Sequence, residues 1–454
     1  MKKLPDKFIQ RMRSYPNFDL DSYLSVLENE PIKGFRVNTE KISTQEFDSI
    51  NIFGKEKIPF VENGYYLEYE KAGNHSFHHA GLIYVQEPAA MAPAECIDID
   101  PQWKILDMCA APGGKSTQLK NKLDNNGILV SNEIISSRCR ILTGNIERLG
   151  LKNTVITCMD TKKLKRFFPE TFDLIMCDAP CSGEGMFRKD DTAIIEWSEE
   201  NVRMCSIRQS EILENAVALL KDGGYIIYAT CTFSLEENEM VIDKFLTSHP
   251  DFELVEVNDT IKENTAPGIR FDGCNCKNIH FTRRFYPYIS KGEGQFMAVL
   301  HNKNIHYATD NKTINNSKKP PEIVFNFLDE VLSSYNKDDV KIYNNNPVYF
   351  SGNLEIKDGV AFSCGITIGE IKKNYILPHH QFFMALGTDF KRKIDLSPDD
   401  INLKKYLHGE EIDAECENGW AAVTVNGCTV GGAKVVNRKA KNHYPKGLRL
   451  KNIE

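Results

Sequence analysis

Short apolar runs and helical stretches alternate through the middle of this chain, between about residues 103 and 230. Each run is bounded by turn residues and has the length of a strand whose two faces are both buried. Strands that alternate with helices predict a parallel, doubly wound α/β sheet. The predicted strands are 103–107, 127–133, 154–160, 172–177 and 224–229. The predicted helices are 117–123, 136–149 and 202–220.

The last two of these strands each run into a loop that carries a cysteine. Cys181 follows the run 172–177 by way of Asp178, and Cys231 follows the run 224–229. Ligands of open α/β sheets bind at the carboxyl ends of the strands. The sequence therefore predicts that two thiols and one carboxylate meet over one crevice.

A glycine-rich turn after the first strand predicts a cofactor site. The turn consists of Cys109, Ala110, Ala111, Pro112, Gly113, Gly114 and Lys115. Glu133 ends the second strand and can accept both hydroxyls of a ribose, and Asp160 after the third can bond an adenine amino group. The turn is not a phosphate loop, because Cys109 stands where that motif needs glycine. A structural turn beside solvated carboxylates is the alternative.

The two thiols suggest chemistry on a pyrimidine ring. Carbon 5 of cytosine becomes a good nucleophile only after a group such as a thiolate adds to carbon 6. A free thiol has a pKa of about 8.5, so the attacking one needs a positive neighbour, which Lys189 or Arg188 could supply. Asp178 could bond the edge of the base. Packing alone explains Cys181 and Cys231 poorly, because both lie in polar loop sequences.

Three stretches around these residues resemble the Sun-type (NSUN) family of RNA 5-methylcytosine methyltransferases. They read DMCAAPGGKST (107–117), DAPCSGEGMFR (178–188) and YATCTFSLEEN (228–238). Flanking matches at 36–38, 86–88 and 292–296 extend the resemblance over about residues 1–302. It implies a methyltransferase core that uses S-adenosylmethionine. The cofactor contacts it implies are the turn 109–115, Glu133, Arg138, Asp160 and Asp178.

The resemblance also assigns roles that the spacing of the two cysteines leaves open. It implies that Cys231 forms the covalent adduct with carbon 6 and that Cys181 assists product release. Cytosine methyltransferases that act on DNA use the Pro-Cys thiol as nucleophile instead. The predicted catalytic set is Cys231, Cys181, Asp178 and Lys189.

The C-terminal third resembles RsmF-type bacterial ribosomal RNA enzymes with a PUA-like domain, through 406–411, 419–425 and 442–449. Seven basic residues, which we call the basic stripe, follow with no acidic residue between them: Lys434, Arg438, Lys439, Lys441, Lys446, Arg449 and Lys451. Such a stripe predicts contact with RNA phosphates, and His443 and Tyr444 could stack on bases. An ordinary solvated surface is the alternative.

These patterns predict four regions in the chain. They are an N-terminal α+β segment that binds RNA (1–75), a Rossmann-like methyltransferase domain (76–302), a linker with a middle α+β domain (303–387), and a PUA-like RNA-binding domain (388–454). The linker composition itself lies at 302–321. The predicted partner is ribosomal RNA or the small ribosomal subunit, bound by a monomer.

Composition narrows the remaining classes of protein. No run approaches the roughly 18 apolar residues of a membrane span, and no secretory signal opens the sequence. Thirteen scattered cysteines suit a cytoplasmic protein with reduced thiols. Cys274 and Cys276 lack the spacing of a zinc site, so no metal is predicted. The net charge of −7 does not by itself indicate a nucleic-acid binder.

Three other functions compete with methylation of small-subunit ribosomal RNA at carbon 5. A methyltransferase of a ring nitrogen or amino group would often carry Asp/Asn-Pro-Pro-Tyr/Phe where this chain has Asp178-Ala-Pro-Cys181. The same carbon 5 chemistry on tRNA is a second alternative. A ribosome assembly factor that binds RNA without catalysis is the third. Only carbon 5 chemistry predicts a covalent adduct between a thiol and RNA.

Overall fold

The structure is a computed structural model of the 454-residue chain that describes residues 3–16, 18–304 and 319–451. Most of the predicted linker at 302–321 lies outside these ranges. Among the helices of the described part, none is both long enough and apolar enough to span a membrane.

The described residues form helices and strands that are labelled in chain order. The helices are α1 (Asp6–Ser14), α2 (Leu20–Val26), α3 (Thr44–Ile50), α4 (Ser76–His79), α5 (Gly114–Lys120), α6 (Ser136–Leu149), α7 (Thr161–Leu164), α8 (Asp191–Glu196), α9 (Glu199–Val217), α10 (Glu239–Ser248), α11 (Asp259–Glu263), α12 (Glu322–Val331), α13 (His380–Leu386) and α14 (Ile401–His408). The strands are β1 (Gly34–Val37), β2 (Gly64–Tyr66), β3 (Ile83–Gln86), β4 (Lys104–Asp107), β5 (Ile128–Asn132), β6 (Thr154–Thr157), β7 (Phe172–Asp178), β8 (Leu220–Thr230), β9 (Phe252–Val255), β10 (Ala266–Pro267), β11 (Arg283–Phe285), β12 (Gln295–Asn302), β13 (Val340–Tyr343), β14 (Asn346–Tyr349), β15 (Ser363–Cys364), β16 (Ile366–Thr367), β17 (Gly369–Ile371), β18 (Ile376–Pro378), β19 (Lys393–Leu396), β20 (Ile412–Asp413), β21 (Gly419–Val425), β22 (Cys428–Val436) and β23 (Lys439–Asn442).

A ten-stranded mixed sheet forms the centre of the molecule, in the order β10-β11-β12-β8-β7-β4-β5-β6-β15, with β9 paired to β12. The strands β8, β7, β4, β5 and β6 run parallel to one another. This arrangement confirms the predicted Rossmann-like α/β core. It also places a topological switch point between β4 and β7, where ligands of such sheets bind.

Helices cover both faces of this sheet. Leu106, Val130 and Ile175 face the helices α9 and α10, whereas Ile105 and Leu129 face α5 and α6. Neighbouring residues of a strand point to opposite faces, so an inner strand needs an apolar residue at nearly every position. The sequence therefore shows these inner strands as short, uninterrupted apolar runs.

The edges of the central sheet differ from the predicted parallel arrangement. On one side β12 pairs antiparallel with β8, and on the other β15 pairs antiparallel with β6. Residues of the predicted middle domain therefore extend the central sheet, and Tyr343, Phe350 and Cys364 pack into its core. The strand that joins the central sheet here is the two-residue β15, at 363–364.

The described residues form four smaller sheets beside the central one. The N-terminal sheet has the order β2-β1-β3, the C-terminal sheet has the order β19-β21-β22-β23-β20, and the residues between them form β13-β14-β16 and β17-β18. A tight turn at Asn426-Gly427 joins β21 to β22, and both residues have the positive φ, 48° and 75°, that such a hairpin requires. Residues of both flanking units share one apolar cluster, which includes Phe35, Tyr406 and Val423.

Candidate active site

The carboxyl ends of the five parallel strands bring the predicted site residues to one edge of the sheet. The glycine-rich turn follows β4, Glu133 follows β5, and Asp160 lies beyond β6. Asp178 is the last residue of β7, and Cys231 follows β8 directly. The strand order thus gathers residues that lie far apart in the sequence.

The turn between β4 and α5 is held by side chains from neighbouring elements. Gly113 has φ of 113°, which favours glycine, and it precedes α5 directly. The buried Arg36 of β1 donates to the carbonyl of Gly114 at 2.8 Å and to Thr117 Oγ1 at 2.8 Å. Asn145 of α6 donates to the carbonyl of Pro112 at 2.9 Å. The N-terminal sheet therefore supports this turn directly.

Glu133 is almost wholly buried, with 3% of its surface exposed. One carboxylate oxygen accepts from the backbone N–H of Ile135 at 2.9 Å, and the other pairs with Arg138 at 3.2 Å. Arg138 also donates to the carbonyl of Ala111 at 2.7 Å, which ties the glycine-rich turn to the end of β5. Each carboxylate oxygen keeps a lone pair free for a ligand hydroxyl. This donor set fits the ribose of a nucleoside cofactor.

Asp160 and Cys109 have different surroundings at the same edge. Asp160 caps the short helix α7 by accepting from the backbone N–H of Lys162 at 2.8 Å, and it stays partly exposed. Burial raises the pKa of the Cys109 thiol well above its usual value. Cys109 is therefore a neutral thiol, and its role in the turn is that of a small side chain.

Lys115 and Asp178 form an ion pair across the switch point, with 2.8 Å between Nζ and Oδ2. Only 9% of the lysine side chain is exposed, against 33% of the aspartate side chain. Burial opposes the charge of Lys115, but attraction to Asp178 outweighs it and raises the pKa of the ammonium. Lys115 also interacts electrostatically with Cys231. The charge of a buried cation therefore acts on this thiol.

The two thiols lie together, with 3.2 Å between the sulfurs of Cys181 and Cys231. The hydrogen bond to Cys231, together with burial, raises the pKa of the Cys181 thiol. Cys181 is therefore a thiol that keeps its proton, and Cys231 is the member of the pair with which the Lys115 ammonium interacts electrostatically. The buried cysteines are different. Cys177, for example, packs in an apolar cluster, and Cys205 lies on a helix.

Two cations predicted from the sequence as neighbours of the thiols lie elsewhere. Arg188 is buried and donates to the carboxylate of Glu293 at 3.0 Å and to the carbonyl of Gly292 at 2.8 Å. Lys189 is exposed, and its charge acts on the buried carboxyls of Glu87 and Glu293. Chain proximity to Cys181 does not bring either side chain to the sulfurs. A cation that does act electrostatically on Cys231 is Lys115, which the sequence places only in the cofactor turn.

Several groups around the thiols are absent from the predicted set. Glu184 and Glu237 are fully buried residues of the two segments that follow the cysteines. The N-terminal Arg11 donates two hydrogen bonds, of 2.9 and 2.6 Å, to Glu236. Glu184 and Glu237 lie within the stretches 178–188 and 228–238 that carry the family resemblance. Arg11 gives no such signal, because its contact spans 225 positions of the sequence.

The basic stripe lies on β22, β23 and the segment after them. Six of its residues are exposed, and Arg449 is half-buried with its guanidinium donating to the carbonyl of Tyr444. The suggestion that Tyr444 stacks on a base is wrong, because Tyr444 is a buried core residue against Tyr406 and His79. His443 is half-buried and its ring contacts the carbonyl of Pro378 at 2.8 Å.

Sequence models of three families match consecutive parts of the chain. Residues 94–301 match 16S rRNA methyltransferase RsmB/F, residues 4–88 match the N-terminal domain of 16S rRNA methyltransferase RsmF, and residues 393–450 match the methyltransferase RsmF PUA domain. Ribosomal RNA small subunit methyltransferase F of Vibrio vulnificus (strain YJ016) is 31% identical over 478 residues, covering 99% of this chain and 98% of that protein.

Solved structures share the fold of about two thirds of the chain. A methyltransferase homolog protein from Pyrococcus horikoshii is 27% identical, with a TM-score of 0.57 over 66% of this chain and 95% of that one. NSun6 from Pyrococcus horikoshii has a TM-score of 0.55 and 21% identity, over 66% of this chain and 99% of that one.

Proposed function

The chain belongs to the RsmF family of methyltransferases, and from this premise we propose that it forms 5-methylcytosine in small-subunit (16S) ribosomal RNA with S-adenosylmethionine as methyl donor. The observation that carries the proposal is the pair of thiols at 3.2 Å, together with the ion pair of Lys115 and Asp178, whose lysine interacts electrostatically with Cys231. Two thiols at the switch point of a cofactor-binding sheet suit covalent chemistry on a base better than direct methylation of an amino group.

The residues that would hold S-adenosylmethionine are the turn 109–115, Glu133, Arg138, Asp160 and Asp178. When bound, the cofactor supplies an electrophilic methyl group. In our proposal the Glu133 carboxylate accepts the ribose hydroxyls, and Arg138 fixes that carboxylate against the turn. Asp160 is partly exposed and can accept a hydrogen bond from an amino group of the cofactor. Lys115 stays paired with Asp178.

Cys231 is the proposed nucleophile. Its sulfur adds as a thiolate to carbon 6 of the cytosine, and the Lys115 ammonium interacts electrostatically with this residue. A proton from solvent adds to the ring nitrogen next to the exocyclic amine, where Asp178 accepts a hydrogen bond from it, and carbon 5 becomes the nucleophile that takes the methyl group. Carbon 5 and the ring nitrogen then each lose a proton to solvent, the electron pair of the carbon–sulfur bond returns to sulfur, and the aromatic ring is restored. Cys181, which keeps its own proton, is proposed to assist this release.

The C-terminal unit is proposed to bind the phosphate backbone of the RNA. Lys434 and Lys441 are directly opposite each other on β22 and β23, and both are exposed. Like charges directly opposite each other destabilise a sheet, so an anion that binds between the two lysines removes their mutual repulsion. This pairing favours RNA binding over an ordinary solvated surface. A base within a folded RNA must leave its stack to reach the thiols.

The test is transfer of labelled methyl from S-adenosylmethionine to small-subunit RNA, offered naked, as assembled subunits, and beside tRNA. We expect incorporation at a cytosine of small-subunit RNA that bisulfite sequencing identifies as 5-methylcytosine. The variant Cys231→Ala should bind the cofactor and transfer nothing. Methyl transfer to tRNA alone would show that tRNA, not ribosomal RNA, is the substrate. Label on an amino group would show that the enzyme does not methylate carbon 5. Binding of subunits without the cofactor and without methyl transfer would favour the ribosome assembly factor.

A further inference from the structure

Each cysteine loop contributes a buried glutamate that binds the other loop. We name the segments the Cys181 loop (179–190) and the Cys231 loop (231–238). Glu184 of the Cys181 loop accepts from Thr232 Oγ1 and from the backbone N–H of Phe233, both at 3.0 Å. Glu237 of the Cys231 loop accepts from the backbone N–H of Ser182 at 2.9 Å and also contacts the Ser182 hydroxyl. The two loops are therefore fastened to each other by reciprocal contacts.

Both glutamates are 0% exposed, so their charges are expensive unless they are well compensated. Glu184 has a third donor, the indole N–H of Trp197 at 2.9 Å. Glu237 has Gln209 Nε2 at 2.8 Å. No cation bonds to either carboxyl in the described part of the chain; Arg11 interacts with Glu184 only at longer range. Two uncompensated negative charges this close to each other are unfavourable.

Counting hydrogens in this cluster shows that one is missing if both carboxyls are ionised. The Ser182 hydroxyl then donates to Glu237 and the Thr232 hydroxyl donates to Glu184. The two hydroxyl oxygens are nevertheless only 2.9 Å apart, which is hydrogen-bond distance with no hydrogen left to occupy it.

One proton on Glu237 completes the cluster. Glu237 then donates to the Ser182 hydroxyl, Ser182 donates to Thr232, and Thr232 donates to an ionised Glu184. The second oxygen of Glu237 still accepts from the Ser182 N–H and from Gln209. Burial, with the nearby charge of Glu184 as a smaller cause, raises the pKa of Glu237 to about 7, in agreement with this arrangement.

We propose that Glu237 and Glu184 are positioning residues that share one proton and, through the chain Glu237–Ser182–Thr232–Glu184, hold the thiols of Cys181 and Cys231 together. We call this chain the glutamate lock. Its part in catalysis rests on the function proposed above, whereas its effect on the distance between the thiols does not. Loss of the proton puts two charges in the lock and loosens it.

Burial and the charge of Glu184 make proton loss from Glu237 harder, and they outweigh the hydrogen bonds from Ser182 and Gln209, which make it easier. The nearby thiols of Cys181 and Cys205 have raised pKa values themselves, in part because of Glu237, and supply no positive charge. The Tyr228 hydroxyl donates to the backbone carbonyl of Glu237 at 2.6 Å and leaves its carboxyl alone. The lock should therefore hold below a pH of about 7 and weaken above it, because ionisation removes the donor that Glu237 gives to Ser182.

The test uses the rate at which diamide oxidises the two thiols in the full chain, with no RNA and no cofactor. Two S–H bonds break, one S–S bond forms, and the N=N bond of diamide takes up both hydrogens; mass mapping locates the disulfide. The variant Glu237→Gln keeps the shape and the donor of the protonated acid. We expect it to match the wild type near pH 6 and to exceed it by at least about threefold near pH 8.5.

The variant Glu237→Ala separates positioning from charge. If only the charge of Glu237 mattered, Glu237→Ala would form the disulfide as fast as Glu237→Gln does. If the glutamate lock holds the thiols together, Glu237→Ala should form the disulfide roughly tenfold or more slowly at both pH values. Glu211→Ala, an exposed glutamate of α9, is the control. If Glu237→Ala does not fold, Ser182→Ala decides the same point, because it cuts the proton chain and leaves the carboxyl in place.

Two results would overturn the lock: rapid disulfide formation in Glu237→Ala or in Ser182→Ala, or the same pH dependence in the wild type and in Glu237→Gln. The thiol assay needs no methyl transfer, so it stands if the proposed function fails. Where methyl transfer is observed, Glu237→Gln should also lose the alkaline fall of kcat while Glu237→Ala loses kcat itself, roughly 100-fold, with an unchanged KM for the cofactor.

Discussion

The edge of the central sheet that carries the two thiols and the basic stripe of the C-terminal unit are built in opposite ways. At the edge, Cys181 and Cys231 are fixed by buried glutamates, an ion pair at 2.8 Å and contacts from the N-terminal helix. The stripe consists mainly of exposed side chains on one hairpin, and its Lys439 bonds to the exposed Asp413. Covalent chemistry needs atoms held to within a fraction of an ångström, whereas attraction to phosphates acts over a Debye length. Single substitutions should therefore be severe at the edge and mild in the stripe.

The largest effect is expected from Cys231→Ala. Without the proposed nucleophile, carbon 5 of the cytosine is not activated, and methyl transfer should fall by at least about a thousandfold. Transfer of labelled methyl measures the loss, and calorimetry with the cofactor should show binding within about twofold of the wild type. Cys416→Ala, a half-buried cysteine of the C-terminal unit, is the matched control. Retained transfer would remove Cys231 from the role of nucleophile.

Cys181→Ala should leave the first half of the reaction intact and block the second. The variant lacks the thiol that keeps its proton, so we expect protein–RNA adduct to accumulate while turnover falls by at least about tenfold. Denaturing gels with labelled RNA measure the adduct. A variant that releases RNA as fast as the wild type would exclude a role of Cys181 in release.

Arg11→Ala tests how far the rigid edge extends into the N-terminal unit. Arg11 bonds to Glu236 twice and to Ser234 Oγ at 2.9 Å, so its removal should loosen the Cys231 loop and lower kcat by about tenfold. Lys7→Ala on the same helix removes only the exposed pair with Glu199 and should stay within about twofold. A rise in KM for RNA with unchanged kcat would instead make α1 an RNA-binding element.

The mildest effect per residue is expected in the stripe. Replacing Lys434, Lys441 and Lys446 by alanine should raise KM for RNA several-fold and leave kcat unchanged. The slope of log KM against log salt should fall by about 0.7 for each phosphate that the variant no longer neutralises. Lys357→Ala and Lys373→Ala, exposed lysines outside the stripe, are the controls. An unchanged salt slope would return the stripe to ordinary solvated surface.

The sequence by itself determined the parallel strands of the central sheet and which residues lie at their carboxyl ends. Inner parallel strands are buried on both faces, so they appear as apolar runs, and all their carboxyl ends point the same way. That is why the order of residues alone assigns Glu133, Asp160, Asp178 and the two cysteines to one crevice. The antiparallel strands at the sheet edges give no comparable signal, because β15 has only two residues and owes its pairing to the exposed edge of β6.

Only the tertiary structure decided which charged groups act on the thiols. Lys189 is near Cys181 in the sequence but is exposed, whereas Lys115 comes from another strand end and interacts electrostatically with Cys231. Tyr444, predicted from its polar neighbours to stack on a base, is buried. Such contacts depend on side-chain direction and on the packing of distant segments, which residue spacing does not encode. The sequence thus determined the chemical groups at the edge, and long-range packing determined their pairing and their protonation.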